Sequence, residues 1–212
     1  KRKGISEKNA IEIFDQIASF AGYGFNKSHA AAYALISYQT AWIKTNFPLE
    51  FFVSMMTLET NNTEKLSYFV EDAKNLGIKI LKPCINKSSY EFIIEEISKE
   101  EIGIRYSLSC LKNVGNDAIK QIVEIRNKMG FFRDINDFLE KVPYGLVTKK
   151  SFESLIKSGA FDTIEKNRHK LFCSIDLLLN HSHYIEKEKR SYQSNLFNDS
   201  HNNKLIINLP NI

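Results

Sequence analysis

The first apolar residues of the chain recur at the spacing of one helix face. Ile13 and Phe14 lie four and three positions before Ile17, which is the spacing of an amphipathic helix. Ser6 can cap the start of this helix, and Gly22 is expected to end it. The pattern therefore predicts a first helix between Ser6 and Gly22.

Three more helices are predicted before residue 78. Residues 27–46 contain many Ala, Leu and Ile but no Gly or Pro, which favours a long helix. Pro48 suits the first turn of a helix that runs to about residue 58. Thr63 is expected to cap a fourth helix that ends at Gly77. The large side chains at helical spacing in this stretch are expected to pack into a core, namely Ile36, Tyr38, Trp42, Phe47, Phe51 and Phe52.

The pattern changes at residue 78 to short β-prone pieces. Residues 78–81, 90–94 and 102–106 are separated by turn-forming and charged residues, which predicts a small antiparallel sheet. Helical spacing then returns in segments 116–128, 134–142, 148–157 and 165–188. From residue 191 the chain is rich in Asn and Ser and is expected to be a mobile tail. The predicted fold class is mainly α with a small antiparallel β element.

The composition narrows the class of protein. With 212 residues, 43% of them hydrophobic, the chain can bury one large or two small cores. The net charge of +4 is compatible with a polyanionic partner and decides nothing alone. The three cysteines lack metal-ligand spacing, and His181 and His183 lack a third ligand, so no metal site is predicted. The polar start and the missing long apolar run predict a cytoplasmic protein without membrane insertion.

A glycine-rich turn precedes the second predicted helix. Residues 22–26 read Gly-Tyr-Gly-Phe-Asn and are followed by Lys27, Ser28 and His29. Free N–H groups and the dipole at a helix start attract anions, and these three side chains add donors, so phosphate binding is one interpretation. The other is a turn that merely joins two helices, which the local pattern alone favours.

The same stretch belongs to a long motif. The run FAGYGFNKSHAAAYALISYQTAW, residues 20–42, closely resembles the fingers of the C-family bacterial replicases, the DNA polymerase III α subunits. The resemblance continues through the segments 48–52, 62–65, 77–81, 83–88, 103–106, 111–115 and 155–162. It thus covers essentially the whole chain, which also begins without Met and is compatible with a fragment of a longer protein.

The resemblance implies a role for the glycine-rich turn. The turn and its helix would face the incoming nucleotide, with Lys27 and His29 contacting the triphosphate and Ser28 adding a donor. Tyr23 and Tyr33 would shape the nucleotide pocket.

A second motif, Leu111-Lys112-Asn113-Val114-Gly115, has the pattern of a helix-hairpin-helix. Its Gly115 is expected to permit the tight turn and to leave the N–H groups of Gly115, Asn116 and Asp117 available to a DNA phosphate, beside Lys112 and Asn113. Between residues 103 and 133 there are six basic residues against two acids, a local excess of four. The alternatives are a simple helix-joining turn or a structural helical array without DNA contact.

A looser copy of this motif follows. Residues 152–162 form a similar unit whose hairpin reads Lys-Ser-Gly-Ala, with Lys157 and Gly159 as candidate DNA contacts. This second unit favours a tandem helix-hairpin-helix domain.

The tail contains Gln193-Ser194-Asn195-Leu196-Phe197, which looks like the pentapeptide that binds the sliding clamp. Leu196 and Phe197 would fill an apolar pocket while Gln193 hydrogen-bonds beside it. Ser194 stands where Leu is commoner, which predicts a weakened affinity.

The sequence has no Asp-x-Asp pair. Polymerases need carboxylates that hold two Mg²⁺ ions, and the resemblance places these in the palm, upstream of residue 1. No catalytic residue is therefore predicted in this segment, Mg²⁺ is expected to bind only elsewhere in the full-length enzyme, and the segment alone is expected to be inactive.

The resulting hypothesis is a fragment of a replicative DNA-directed DNA polymerase. Residues 1–77 would form part of the fingers, 78–106 a β-containing connector, 107–190 a tandem helix-hairpin-helix domain, and 191–212 a flexible tail. The expected partners are primer-template DNA, dNTP, the sliding clamp and other replicase subunits. The alternative is a stand-alone, non-catalytic DNA-binding or clamp-tethered module from a split or degenerate gene, which an upstream reading frame encoding the palm aspartates would exclude.

Overall fold

The computed structural model describes residues 4–23, 27–190, 207 and 209, except for the side chains of Tyr23 and Arg190. In this part of the chain most residues are helical and three strands form one small sheet. The prediction of a mainly α fold with a small β element is confirmed. The chain divides into two units, residues 1–48 and 49–212.

The first unit consists of the helices α1 (Glu7–Tyr23) and α2 (Lys27–Asn46). The Ser6 hydroxyl accepts a hydrogen bond from the Asn9 N–H at 3.3 Å, so the predicted N-cap is confirmed. The predicted bounds of α2 are also confirmed, because Gly and Pro are absent inside it.

The aromatic core predicted for α2 and its surroundings is only partly correct. Phe52 is fully buried and Phe51 is half-buried, but the expectation is wrong for Ile36, Tyr38, Trp42 and Phe47, which are all exposed. The apolar side chains of α2 point in all directions around its axis and define no single inward face. Helical spacing of large side chains therefore did not suffice to predict burial.

The second unit begins with α3 (Pro48–Leu58) and α4 (Thr63–Asn75). The N-cap of α4 is Asn62 and not Thr63 as predicted, because the extended backbone of Asn62 lets its side-chain oxygen accept from the Lys65 N–H at 3.1 Å. Both helices contribute to a small core with the sheet, formed by Phe52, Met56, Leu66, Ala73, Phe92 and Ile104.

The sheet contains β1 (Lys79–Leu81), β2 (Ile93–Ser98) and β3 (Glu101–Arg105) in the order β1-β3-β2. Strands β2 and β3 form an antiparallel hairpin, but β1 pairs with β3 in parallel, so the expected all-antiparallel sheet is in fact mixed. The chain crosses over between β1 and β2 and brings β1 beside β3. A Cβ atom at Gly103 would lie 2.7 Å from the Lys79 carbonyl oxygen, so this close approach needs glycine.

Five helices follow: α5 (Asn116–Met129), α6 (Ile135–Lys141), α7 (Lys149–Ser158), α8 (Arg168–Cys173) and α9 (Ile175–Arg190). The helix predicted over 165–188 is broken at Ser174, whose N–H closes the end of α8 on Leu171 while its carbonyl starts α9 through Leu178. The break lets both helices bury apolar residues in the main core. The centre of this core is a cluster of stacked and edge-on rings from Phe132, Phe138, Phe152 and Phe161.

A short segment, residues 84–88, joins the sheet to these helices and is called the 84–88 turn below. The Ser88 hydroxyl donates to the Tyr106 carbonyl at 2.7 Å. The Ile85 N–H donates to the Ala160 carbonyl at 2.7 Å. The Asn86 side chain exchanges two hydrogen bonds with the backbone of Phe132, at 2.8 and 2.9 Å. The turn therefore contacts the sheet, the loop after α5 and the loop after α7.

The buried guanidinium of Arg126 completes this connection. Its Nη1 donates to the carbonyl oxygens of Ile85 at 2.9 Å and Ser88 at 2.7 Å. Only 8% of Arg126 is exposed. Burial lowers the pKa of Arg126 from its usual value. The guanidinium thus provides the hydrogen-bond donor for two backbone carbonyls inside the protein.

Replacing Arg126 by Met should destabilise the protein strongly, because the carbonyls of Ile85 and Ser88 lose their donor while the side-chain volume is roughly kept. We expect the free energy of unfolding in urea to fall by about 2–4 kcal/mol. Lys128→Ala, an exposed change on the same helix, is the control and should cost under about 0.5 kcal/mol. Equal stability of the two variants would show that Arg126 does not hold the turn.

Acid should destabilise the sheet through Glu95. Hydrogen bonds from Arg105 lower the pKa of Glu95 from 4.5 to about 2, against the effect of burial, and Lys87 adds to the lowering. This stabilisation is present above the unfolded-state pKa and is lost as the pH falls through about 2. In Glu95→Gln, the loss of unfolding free energy between pH 6 and pH 2 should shrink by about 2 kcal/mol. The exposed neighbour change Glu96→Gln should leave that loss unaltered; an equal effect would contradict the assignment.

Candidate nucleic-acid interface

The turn before α5 reverses the chain with two backbone hydrogen bonds, each between residues three positions apart. The Leu111 N–H donates to Leu108 at 3.2 Å, and the Val114 N–H donates to Leu111 at 3.1 Å. Asn113 adopts a positive φ of 63°, a conformation that Asn tolerates better than most residues. The sequence predicts that Gly115 permits this turn, but Gly115 has an ordinary φ of −75°. The positive φ falls instead on Asn113.

Gly115 occupies the N-cap position of α5 and has no side chain to cap the helix. The first amides of an α-helix have no partner within the helix, and the helix dipole makes this end attractive to anions. A Cβ atom at Gly115 would meet nothing closer than the Ala118 Cβ atom at 3.9 Å. The start of α5 is therefore open to an approaching ligand.

Four of the residues predicted to bind DNA meet at this helix start. Lys112, Asn113, Gly115 and Asn116 are all exposed. The Asn116 side-chain oxygen accepts a hydrogen bond from the Ser109 hydroxyl at 3.0 Å, which orients the amide. On the opposite side of α5, four buried residues fix the helix on the protein, namely Ile119, Ile122, Val123 and Arg126.

Half of the six basic residues counted in this region have structural roles. Arg105 forms two hydrogen bonds with the Glu95 carboxylate, at 2.6 and 2.7 Å. Arg126 is buried, and Arg133, although exposed, has its charge paired with Asp137 at 3.2 Å. Lys112, Lys120 and Lys128 are also exposed. The positive field at the surface is therefore weaker than the count of residues predicts.

The second predicted hairpin, at residues 157–160, has a different geometry. Gly159 is buried at the C-terminal end of α7 with a φ of 81°, and its N–H already donates to the Ile156 carbonyl at 3.0 Å. The ion pair of Arg168 and Asp162 covers it, since a Cβ atom at Gly159 would lie 2.7 Å from the Asp162 carboxylate. A phosphate could reach the Gly159 N–H only if that hydrogen bond broke.

Lys157, beside this glycine, is exposed and lies 4.8 Å above the ring of Phe172. Its contact with DNA stays a prediction, which no geometric feature of the 157–160 segment strengthens.

A turn that the sequence analysis missed lies between α6 and α7. It contains Pro143 and Gly145 and leads into α7, where the Thr148 hydroxyl accepts from the Ser151 N–H at 3.2 Å. Lys149 and Lys150 are exposed in the first turn of that helix, and Lys149 pairs with Asp176 at 2.6 Å. This arrangement of turn and helix start resembles that of α5 more than the 157–160 segment does. In the sequence, this turn is indicated by Pro143 and Gly145, which lie between two apolar helical segments.

The first unit places most of the predicted nucleotide-binding residues at one end of α2. Lys27, Ser28 and His29 are exposed in its first turn. The ring of Tyr33, one turn further, lies 4.3 Å from that of His29. The side chain of Tyr23 lies outside the described residues, as do residues 24–26.

The predicted clamp-binding residues Gln193, Leu196 and Phe197 also lie outside the described residues. Within residues 4–23 and 27–190, no group of three or more His, Cys, Asp or Glu side chains has an arrangement suited to a metal ion. Among the helices of that same part of the chain, none has the length and apolar character needed to cross a membrane.

The chain is similar to known proteins along most of its length. A helix-hairpin-helix family model matches residues 77–171. The DNA polymerase III subunit alpha of Caulobacter vibrioides is 43% identical over 197 residues, which cover 93% of this chain and 17% of the relative. The corresponding subunit of Borreliella burgdorferi is 43% identical over 195 residues, 92% of this chain and 17% of the relative. That of Thermus aquaticus is 40% identical over 197 residues, 93% of this chain and 16% of the relative.

The chain spans about one sixth of the length of these relatives, with matched shares of 16% and 17%. The similarity extends over nearly the whole of this chain and includes both the helix start at α2 and the helix-hairpin-helix segment. Nearly the whole of the chain is therefore similar to one segment of DNA polymerase III subunit alpha, in a match that includes the helix-hairpin-helix segment.

Proposed function

We propose that this chain is the part of a replicative DNA-directed DNA polymerase that holds duplex DNA by its backbone and contributes one side of the nucleotide site. The single observation that carries the proposal is the open N-terminal end of α5. It presents backbone amides next to exposed Lys112, Asn113 and Asn116 in a chain that is 43% identical to alpha subunits of DNA polymerase III.

The α5 site suits a phosphate and not a base. Backbone amides and a lysine bind phosphate oxygens whatever the sequence, and such contacts fix the position of a protein on a duplex. Reading base edges requires side chains that enter a groove, whereas the α5 site is a turn whose donors are main-chain atoms. Sequence-independent binding is what a polymerase needs, since it must move along any template.

In the first unit, the start of α2 is the corresponding candidate for the nucleotide. Lys27, Ser28 and His29 at a helix N-terminus would contact the triphosphate of an incoming dNTP, while Tyr33 and Tyr23 shape the pocket. The exposure of the first three and the contact between the His29 and Tyr33 rings support this role.

Nucleotidyl transfer itself would require the rest of the longer protein. The segment contributes no catalytic carboxylate in this proposal, and the Mg²⁺ ions would bind to residues outside it. The segment alone would then bind primer-template DNA without extending it. In the cytoplasm it would act with the other replicase subunits and with the sliding clamp, which would bind through Gln193, Leu196 and Phe197.

Charge reversal at Lys112 tests the duplex contact. Lys112→Glu should weaken binding of a fluorescent primer-template duplex by about tenfold, because a charge-assisted phosphate contact is lost. It should also reduce the slope of log affinity against log salt concentration by about one. Both quantities are measured by anisotropy titration at several salt concentrations.

The matched control for this titration is Lys128→Glu, which makes the same charge change near the other end of α5. A loss of less than about threefold is expected there, since only general attraction is reduced. Equal losses for the two variants would mean that the duplex is attracted by overall charge and not held at the hairpin.

Capping the helix tests the backbone amides directly. In Gly115→Ser, the backbone angles of −75° and 135° suit a capping serine, whose hydroxyl would accept from the amides that a phosphate needs. The free energy of unfolding should stay equal or rise by up to about 0.5 kcal/mol. Duplex affinity should nevertheless fall by about fivefold, because the hydroxyl competes with the phosphate. Unchanged affinity would exclude these amides as the phosphate site.

A further inference from the structure

The side chain of Asn136, on α6, makes two hydrogen bonds with the backbone of one distant residue. The Ile207 N–H donates to the Asn136 side-chain oxygen at 2.9 Å. The Asn136 side-chain nitrogen donates to the Ile207 carbonyl at 3.3 Å. A side-chain amide has both a donor and an acceptor, so it can pair with the N–H and C=O of a single residue as a neighbouring strand would.

Apolar contacts accompany this pairing. Ile207 and Leu209 are both partly buried and pack against the core cluster that contains Phe138 and Leu139 of α6. The backbone of Ile207 thus contacts α6, while the side chains of Ile207 and Leu209 pack against the core of the helix-hairpin-helix region.

The sequence around Ile207 fits such a contact. The residues from 205 to 210 read Leu-Ile-Ile-Asn-Leu-Pro, within a stretch otherwise rich in Asn and Ser. Aliphatic side chains at 207 and 209 offer apolar area, and a short aliphatic run in a polar stretch is the composition that a docking segment needs.

We propose that the surface of α6 around Asn136 is a docking site for an aliphatic segment, and that Ile207 and Leu209 of this same chain are its occupants. Asn136 recognises the backbone at position 207, and the core cluster accepts the side chains of Ile207 and Leu209. The docking returns the chain to the helix-hairpin-helix region after α9. It therefore fixes the point from which any following part of the protein departs.

Hydrogen exchange at the Ile207 amide of the whole 212-residue chain tests the proposal. In the unaltered protein this amide should exchange at least about tenfold more slowly than in an unstructured peptide, because it is bonded to Asn136. Asn136→Ala should remove about tenfold of that protection, the effect of losing the two hydrogen bonds. Alanine favours the helix, so α6 itself should persist.

Two further variants make the outcome unambiguous. Leu209→Asp should also speed exchange at Ile207, since it places a charge in the apolar contact without touching Asn136. Asn127→Ala, a change of the same residue type at an exposed position of α5, should have no effect. The amide of Ile156, buried in α7, reports whether each variant stays folded. Exchange of Ile207 at the unstructured rate in the unaltered protein, or unchanged protection in Asn136→Ala with Ile156 still protected, would overturn the proposal.

Discussion

The second unit depends on the hydrogen bonds that the buried guanidinium of Arg126 donates to the 84–88 turn. A loop that passes through a protein interior must satisfy its backbone polar groups, and water cannot do so there. In the 84–88 turn, two backbone carbonyls accept hydrogen bonds from Arg126 of α5. The side chains of Asn86 and Ser88 donate to backbone carbonyls after α5 and after β3. The sheet and the helices are thus joined by polar contacts, while each keeps its own apolar core.

The same helix carries this connection and the candidate DNA site. Arg126 lies in the last turn of α5, and Gly115 precedes its first turn. A helix of 14 residues is a rigid rod of about 20 Å, so fixing one end directs the other. The buried apolar residues along α5 add to this, and the amides at its start are held at a defined position on the protein surface. A site made of backbone groups needs such a support, because it has no flexible side chain with which to adapt.

The sequence predicted the elements better than the contacts between them. The approximate bounds predicted for α2 and α3 are confirmed, because Pro48 locally marks the end of the one and the start of the other. The bond between Arg126 and Ile85 joins residues 41 positions apart and leaves no local signal, so Arg126 was counted as a surface charge. The break at Ser174 and the parallel pairing of β1 likewise follow from packing with distant segments. At the site, the hairpin was recognised from its glycine, but the unusual backbone angle falls on Asn113, because Asn can adopt it too. The exposure of α2 was missed since spacing alone does not say whether a partner surface exists.

The proposed use of main-chain donors at the start of α5 has an evolutionary consequence. Every residue except proline supplies a backbone N–H, so a substitution at 115, 116 or 117 changes the neighbourhood of these donors without deleting them. What selection must preserve is the path of the backbone, which depends on the turn at Asn113 and on the buried face of the helix. In this proposal, the charged residues nearby can vary, and their number would set the strength of DNA binding. A site of this kind would persist among proteins that are only 40–43% identical over their matched residues.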